Sequence, residues 1–291
     1  MKRFFFGVFF CFGIPLSVQA TTPVAFPFLG ISPSARGAAL GEAMTAASGD
    51  ASAAFWNPAL LANLKGGSFT AQENFFLQGN DHTFLGFGLR TNKLGLGASL
   101  NFNHTGDLEA RVGPSTQPLG TFSENEAALS GSGAYQITPK LAAGITAKVL
   151  YQKLDVYDNF GAAFDLGAVY EIQQKIRAGA SVLNAGPDFT LVSEGSRLPM
   201  AFRAGVSFFW RDFLFLSDAV FPRGGNAKTG WGVERQFRNL FLRAGYQTGY
   251  DEKNFSFGMG VLYRKFRLDY AFVPYQSDLG SAHRFGIVAD L

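Results

Sequence analysis

The residues of this chain that could do chemistry fall into groups of opposite charge. Lys148 and Asp165 sit at similar heights on neighbouring alternating segments, as do Arg203 with Asp218 and Glu234 with Arg243; Arg267, Asp269 and Arg284 form a fourth group. Each lies on the small, polar parity of its segment, opposite an apolar parity. Opposite charges across a strand ladder are favourable neighbours. The spacing therefore points to an interior ion-pair network, and its functional alternative is a path for a ligand or an ion. Other chemistry has no framework: the sequence contains no G-x-S-x-G, no P-loop and no H-E-x-x-H. His82, His104 and His283 fall at strand ends without metal-ligand spacing. The pairs Gly86/Gly88, Gly95/Gly97 and Gly258/Gly260 lack the third glycine and following helix of a dinucleotide site. At period two they read as lumen-facing glycines that leave room for something inside. No catalytic, cofactor or metal site is expected, and the chain reads as a non-enzyme.

These charges need a wall to hold them. Leu94, Leu96, Ala98, Leu100 and Phe102 alternate with Gly95, Gly97, Ser99, Asn101 and Asn103. Phe255, Phe257, Met259, Val261 and Tyr263 alternate with Ser256, Gly258 and Gly260. Such alternation is the period of a strand with two unlike faces. About 14 strands follow, near 68–78, 82–90, 94–105, 122–137, 141–154, 160–171, 175–184, 198–209, 213–221, 227–237, 239–249, 254–263, 265–274 and 281–291. Most match the ~9–11 residues that cross a bilayer on a tilt. Every second connection is very short, among them Arg264-Lys265, Arg238-Asn239 and Thr91-Asn92-Lys93, whereas 106–121 and 185–197 are long. Outer-membrane barrels have short periplasmic turns and longer external loops. Arg284, Gly286, Ala289 and Leu291 fit the terminal pattern read by the barrel-assembly machinery, which becomes an expected partner beside outer-membrane lipid. The expected fold class is all-β: a transmembrane antiparallel β-barrel of about 14 strands with an N-terminal hatch in its lumen.

Composition agrees. The chain has 291 residues, 47% of them hydrophobic and only 16% charged, against about 25% charged in soluble proteins. Residues 1–20 read as a signal peptide: Lys2 and Arg3 precede an apolar run from Phe4 to Val18, and Val18-Gln19-Ala20 fits a cleavage site. Its removal leaves 23 basic against 22 acidic residues, so no polybasic face argues for nucleic acid. It also removes Cys11, the single cysteine, and with it disulfides and thiolate metal sites. The expected location is the cell outer membrane of a Gram-negative-type envelope. The expected division is 1–20 signal peptide, 21–67 hatch and 68–291 barrel.

Residues 21–67 are rich in Ala, Gly and Ser, as suits a segment packed tightly inside a wide barrel. Asp50 is a good N-cap for a short Ala-rich helix, and Asn57-Pro58 stops that helix and directs the chain onward. Arg36 is placed to face Asp165, Asp218 or Asp269. The stretch Arg36-Gly37-Ala38-Ala39-Leu40-Gly41-Glu42-Ala43, followed by Asp50-Ala51-Ser52-Ala53-Ala54-Phe55-Trp56-Asn57-Pro58-Ala59, resembles the hatch of FadL-like outer-membrane proteins, and more closely their PorV/PorQ-type branch. Further matching features run in order from Lys148, through Ser181-Val182-Leu183-Asn184-Ala185-Gly186 and Leu198-Pro199, to Leu279-Gly280 and His283-Arg284. The resemblance covers nearly the whole mature chain. It implies a barrel serving type IX-like secretion or surface attachment, with secreted cargo proteins as partners. The alternative it leaves open is a FadL-like channel for hydrophobic small molecules.

Overall fold

The computed structural model describes residues 24–47, 49–76, 80–111, 113–114, 117–191, 194–276 and 280–291. The reading of residues 1–20 as a signal peptide lies outside them. The strands are β1 (Gly67–Phe75), β2 (Asn80–Thr91), β3 (Leu94–Ala110), β4 (Gly120–Thr138), β5 (Leu141–Leu154), β6 (Tyr157–Gln173), β7 (Ile176–Ala185), β8 (Phe189–Leu191), β9 (Glu194–Ser196), β10 (Ala201–Trp210), β11 (Phe213–Pro222), β12 (Lys228–Phe237), β13 (Leu240–Thr248), β14 (Phe255–Tyr263), β15 (Phe266–Pro274) and β16 (Ser281–Asp290). All but β8 and β9 join one closed antiparallel barrel of 14 strands, sealed where β1 pairs with β16. Closure leaves no strand edge facing lipid, where an unpaired backbone group would cost several kcal/mol.

The faces are inverted relative to a soluble protein. On β14, Phe255, Phe257, Met259 and Val261 point outward and are about half exposed, whereas Ser256 between them is fully buried. On β16, Phe285 and Ile287 are exposed while Arg284 is buried. The apolar parity therefore faces hydrocarbon and the polar parity faces the lumen.

Two-residue turns at 92–93, 139–140, 174–175, 211–212, 238–239 and 264–265 gather at one end of the barrel. Asn92, Arg211, Arg238 and Arg264 adopt left-handed backbone there, with φ of 54°, 54°, 55° and 55°. The opposite end differs from expectation in two places. β3 to β6 are 14 to 19 residues long, against 9 to 12 for the other barrel strands. Asp155-Val156 is thus a tight turn rather than a loop, and the four strands stand beyond the bilayer as a ribbon. The connection 186–200 carries the separate hairpin β8–β9.

Residues 24–47 and 49–66 lie in the lumen. They contain two short α-helices, α1 (Ala35–Ala39) and α2 (Ala53–Trp56), and two 3₁₀ turns, Pro27–Gly30 and Pro58–Asn63. Every strand of the wall touches the segment. Ser68 of β1, Ala134 of β4, Ala168 of β6, Ser207 of β10, Asp218 of β11, Arg267 of β15 and Arg284 of β16 all do so. A segment met from all sides by a closed wall is inside it. Val24 bridges to Arg197 at the long-loop end, and the chain reaches β1 at the short-turn end, where the Leu291 N–H donates to the Gly67 carbonyl at 2.9 Å. Both barrel termini therefore share one end, while the lumen segment starts at the other.

Close approach requires glycine at Gly41. Its φ is +62°, and a Cβ there would lie 2.6 Å from the Trp231 carbonyl and 2.8 Å from that of Tyr246. Of the paired glycines, Gly88, Gly95, Gly97 and Gly258 make room for segment atoms, whereas Gly86 and Gly260 make room for wall side chains. Gly41→Val is therefore expected to displace the segment and leave the wall intact. Trypsin should then cut at Arg36, which is buried in the parent, while heat-modifiable gel mobility stays unchanged. Continued protection of Arg36 in the variant would refute the close approach.

Candidate functional site

The charged lumen residues form three groups. The largest is a continuous chain of six. Arg36 makes a two-pronged contact with Glu234, at 2.9 Å to Oε2 and 2.8 Å to Oε1. The Arg243 Nε donates to Glu234 at 2.6 Å, and its Nη1 to Asp269 at 2.7 Å. Arg267 completes the chain with Asp269 at 2.8 Å and Asp50 at 2.6 Å. Three guanidiniums meet three carboxylates, so the group is neutral inside a site that water barely reaches. Both ends, Arg36 and Asp50, belong to the lumen segment; the middle belongs to β12, β13 and β15. Burial pushes the Asp50 carboxyl up, but Arg267 and the Ser52 hydroxyl beside it hold it below the usual carboxylate range. A recess of about 520 Å³ opens from the short-turn end onto this chain, with Arg36, Glu234 and Arg267 among its lining.

The second group ties the segment to β10 and β11. Arg203 donates to Asp218 at 3.1 Å and to the Glu42 carbonyl at 2.6 Å. The Thr45 N–H and hydroxyl both donate to Asp218, at 3.0 and 2.6 Å. The Arg203 guanidinium lies 4.9 Å over the Trp56 ring, a cation–π contact. Above it, outside the spanning strands, Glu42 meets Lys253 at 2.7 Å. Burial alone would raise the Glu42 carboxyl; Lys253, Arg284 and Arg203 reverse this and lower it to about 2.

The third group joins Lys148 to Asp165 at 2.8 Å. Asp165 sits where the register between β6 and β7 shifts. Asn184 closes the group: it accepts from the Lys148 ammonium at 2.6 Å and donates its N–H to Asp165 at 2.7 Å. Beside it lies a polar cavity of about 20 Å³, lined by Lys148, Asp165, Ser130, Asn101, Leu29 and Phe55. That is room for about one water.

Several expectations need correction. Arg36 faces Glu234, not Asp165, Asp218 or Asp269: Asp165 and Asp218 are held in the other two groups, and Asp269 is taken by Arg243 and Arg267. Arg284 does not join Arg267 and Asp269. It pairs in register with Ala271, two residues further out than Asp269, and donates instead to the Ser32 carbonyl at 2.7 Å with its guanidinium over Phe76. Asp50 does not cap α2. Ser52 is the N-cap, and Asp50 accepts from the Ser52 N–H at 3.0 Å. Of the histidines, His82 and His283 stand at strand ends but His104 does not, because β3 continues to Ala110; His82 is fully buried, 2.7 Å from the Asn74 side chain.

Asn57 stands between α2 and the following turn with φ −164° and ψ 109°. Its Oδ1 accepts from the Ala59 N–H, and its Nδ2 donates to the carbonyls of Thr45 at 2.9 Å and Ala168 at 3.0 Å. Pro58, which follows, needs no N–H partner. Gly37 is pressed between Ser34 and Trp56, where a Cβ would lie 2.8 Å from each. Glu42, Thr45, Trp56, Asn184 and Lys253 were not singled out by sequence reasoning. Glu42, Trp56 and Asn184 carried a signal, within the Arg36–Ala43, Asp50–Ala59 and Ser181–Gly186 stretches.

A closed 14-strand barrel with a traversed lumen and a lipid-facing apolar belt defines an outer-membrane protein of the FadL-like architecture. Residues 17–220 match the family described as "Type IX secretion system protein PorV". The chain belongs to the PorV family. Among solved structures it is similar to the Pseudomonas putida toluene transporter TodX, with a TM-score of 0.66, 14% identity, and coverage of 93% of this chain and 98% of that one. It is also similar to the CymD monoaromatic hydrocarbon channel, with a TM-score of 0.65, 13% identity, and coverage of 91% and 97%. A Pseudomonas aeruginosa FadL homologue follows at TM-score 0.57 and 12% identity, with coverage of 93% and 98%. At these identities the likeness is one of fold. No curated protein matches the chain. PorV and FadL-like proteins are non-enzymatic barrels of the outer membrane.

Two predictions follow from the site. Removing one partner of a buried ion pair costs about 3–5 kcal/mol. Arg36→Ala and Asn57→Ala should therefore loosen the segment more than the strand ladder. Raised leak conductance in a planar bilayer with unchanged heat-modifiable mobility is expected; conductance equal to the parent in both variants would show that neither residue holds the segment. Glu42 should make the barrel acid-sensitive. Its folded pKa lies below its ordinary value, so its contribution is present above about pH 4.5 and lost as pH falls through about 2. Glu42→Gln should lower the gel-shift temperature at pH 7 and flatten its fall between pH 4.5 and 2. A parallel fall in both proteins would refute the coupling.

Proposed function

We propose that this chain is a non-enzymatic outer-membrane barrel acting in type IX-like secretion or surface attachment of exported proteins. The family match over residues 17–220 carries this reading. The packing of the segment supports it: the cavity beside Lys148, between segment and wall, is about 20 Å³, far below the ~300 Å³ of small-molecule sites, and the larger recess of about 520 Å³ lies at the short-turn end only. In this reading residues 1–20 are an export signal, residues 21–67 are a plug, and the short-turn end faces the periplasm. The β3–β6 ribbon then stands at the cell surface, where cargo would be met. The lumen charges from Lys148 to Arg284 hold the wall together and the plug to it, and do no chemistry.

The second reading is a FadL-like channel for hydrophobic small molecules. The fold it shares with the toluene transporter and the CymD channel favours it. It requires the segment to move, because the segment fills the lumen between the recess of about 520 Å³ at the short-turn end and the opposite end.

A deletion strain separates the two. Loss of surface-attached proteins from the deletion strain supports secretion, and loss of growth on a hydrophobic substrate supports uptake. A genome that encodes no cargo with type IX signal domains would rule out the secretion reading. Orientation has its own test on the cysteine-free mature background. A membrane-impermeant thiol reagent on whole cells should reach a cysteine at Gly113 and not one at Gln174. The reverse pattern would overturn the orientation.

A further inference from the structure

The turns of the short-turn end are rich in basic residues. Arg211, Arg238, Arg264 and Lys265 lie in three successive turns of that end, with Asp212 the acidic residue among them. Arg235 is different in kind. It points outward from β12, two residues before the strand ends, on the parity that otherwise carries Trp231 and Val233. An outward arginine faces hydrocarbon unless it reaches the headgroups, and its cost falls to about 0–1 kcal/mol only near the interface.

The side chain is held in place there. Its guanidinium lies 5.1 Å from the Phe213 ring and 5.3 Å from the Phe237 ring. Phe213 is its directly paired neighbour on β11 and stacks on Trp210 at 6.5 Å. Trp210 in turn carries the guanidinium of Arg211 at 4.9 Å. Arg211, Trp210, Phe213, Arg235 and Phe237 thus form one continuous strip of three rings that carries two guanidiniums. Rings hold guanidiniums by their faces and leave the N–H edges free. Among the described residues no carboxylate lies within ion-pair distance of Arg211 or Arg235. Phe215 and Val233, a register pair two residues nearer the membrane centre, are exposed, and so is Leu242, the direct partner of Arg235 on β13.

We propose that this strip binds an anionic phospholipid, with its phosphate bridged by Arg235 and Arg211 and its acyl chains on Phe215, Val233 and Leu242. A guanidinium edge matches phosphate oxygens two at a time. The apolar surface continuing from the strip toward the membrane centre selects a phosphate that carries acyl chains. An acidic protein partner fits less well, because Arg235 lies on the lipid-facing parity of the wall. The placing of this lipid in the inner, phospholipid leaflet rests on the orientation proposed above; the binding itself does not.

Native mass spectrometry of the purified full barrel, released from detergent with added phosphatidylglycerol or phosphatidylethanolamine, tests the proposal. Retention of phosphatidylglycerol over phosphatidylethanolamine is expected. R235Q and R211Q should each weaken it about fivefold, as expected for one cation lost at an anionic lipid surface. R235K should fall between parent and R235Q, because it keeps the charge but loses the planar stack. K140Q, in a turn across the barrel, should leave retention unchanged. Heat-modifiable mobility establishes that each variant is assembled. Equal retention of the two lipids, or retention unchanged in the R211Q/R235Q double variant, would overturn the site. Free inorganic phosphate that competes as well as phosphatidylglycerol would overturn its assignment to lipid. Crosslinking of a periplasmic protein that the double variant abolishes, with lipid retention intact, would make it a protein-docking face and overturn the proposal. Failure of any of these leaves the secretion reading standing, since that reading is tested in the deletion strain.

Discussion

Charge neutrality inside a nearly dry lumen governs this molecule. A wall whose outer face must be apolar has only its inner face for polar residues, and there water is scarce. Each ionised group must then meet its opposite within one side chain's reach, or be left uncompensated at a cost of several kcal/mol. The chain Asp50–Arg267–Asp269–Arg243–Glu234–Arg36 meets that condition with three charges of each sign. Because its two ends are in the lumen segment, neutrality of the wall and seating of the segment are one event. The wall alone would keep Arg267 and Arg243 against Asp269 and Glu234, and the segment supplies the remaining pair of opposite charges.

The wall was legible in the sequence wherever lipid enforces alternation. β5 spans Leu141–Leu154 and β14 spans Phe255–Tyr263, within a residue of their expected limits. Both alternate over most of their length and are bounded by two-residue turns on at least one side. Legibility ended where lipid no longer acts on the strand. β3 continues to Ala110 and β6 begins at Tyr157, beyond the expected 105 and 160. Outside the bilayer neither face must be apolar, so Thr105–Ala110 and Tyr157–Asn159 pair without a strict pattern. The hairpin β8–β9 was missed for the same reason.

Pairs between adjacent strands were readable because two-residue turns set the register. Lys148 with Asp165, Arg203 with Asp218, and Glu234 with Arg243 follow from counting residues back from a turn. The partners of the lumen segment were not readable. Its path has no period, and α1 can turn Arg36 toward any strand its backbone passes. Nothing local to Arg36 or Glu234 records that they meet across 198 residues of chain. Arg284 illustrates the limit from the other direction. Its height was misjudged by one pair of residues, and that exchanges a carboxylate neighbour for the carbonyl of Ser32.

The lumen segment enters beside Arg197 at one end and passes into β1 at the other. It is thus the thread of a needle whose eye is sealed by the β1–β16 seam. The ribosome delivers the thread first, but its partners Arg267 and Arg284 are among the last residues made. The segment therefore waits, without its ionic contacts, for strands that do not yet exist. A wall closed in advance would have to be threaded by Arg36 and Asp50 before either had met its partner. The history that avoids this is a curling sheet that wraps the segment and shuts last at the seam, so the hatch is cast in place and not inserted.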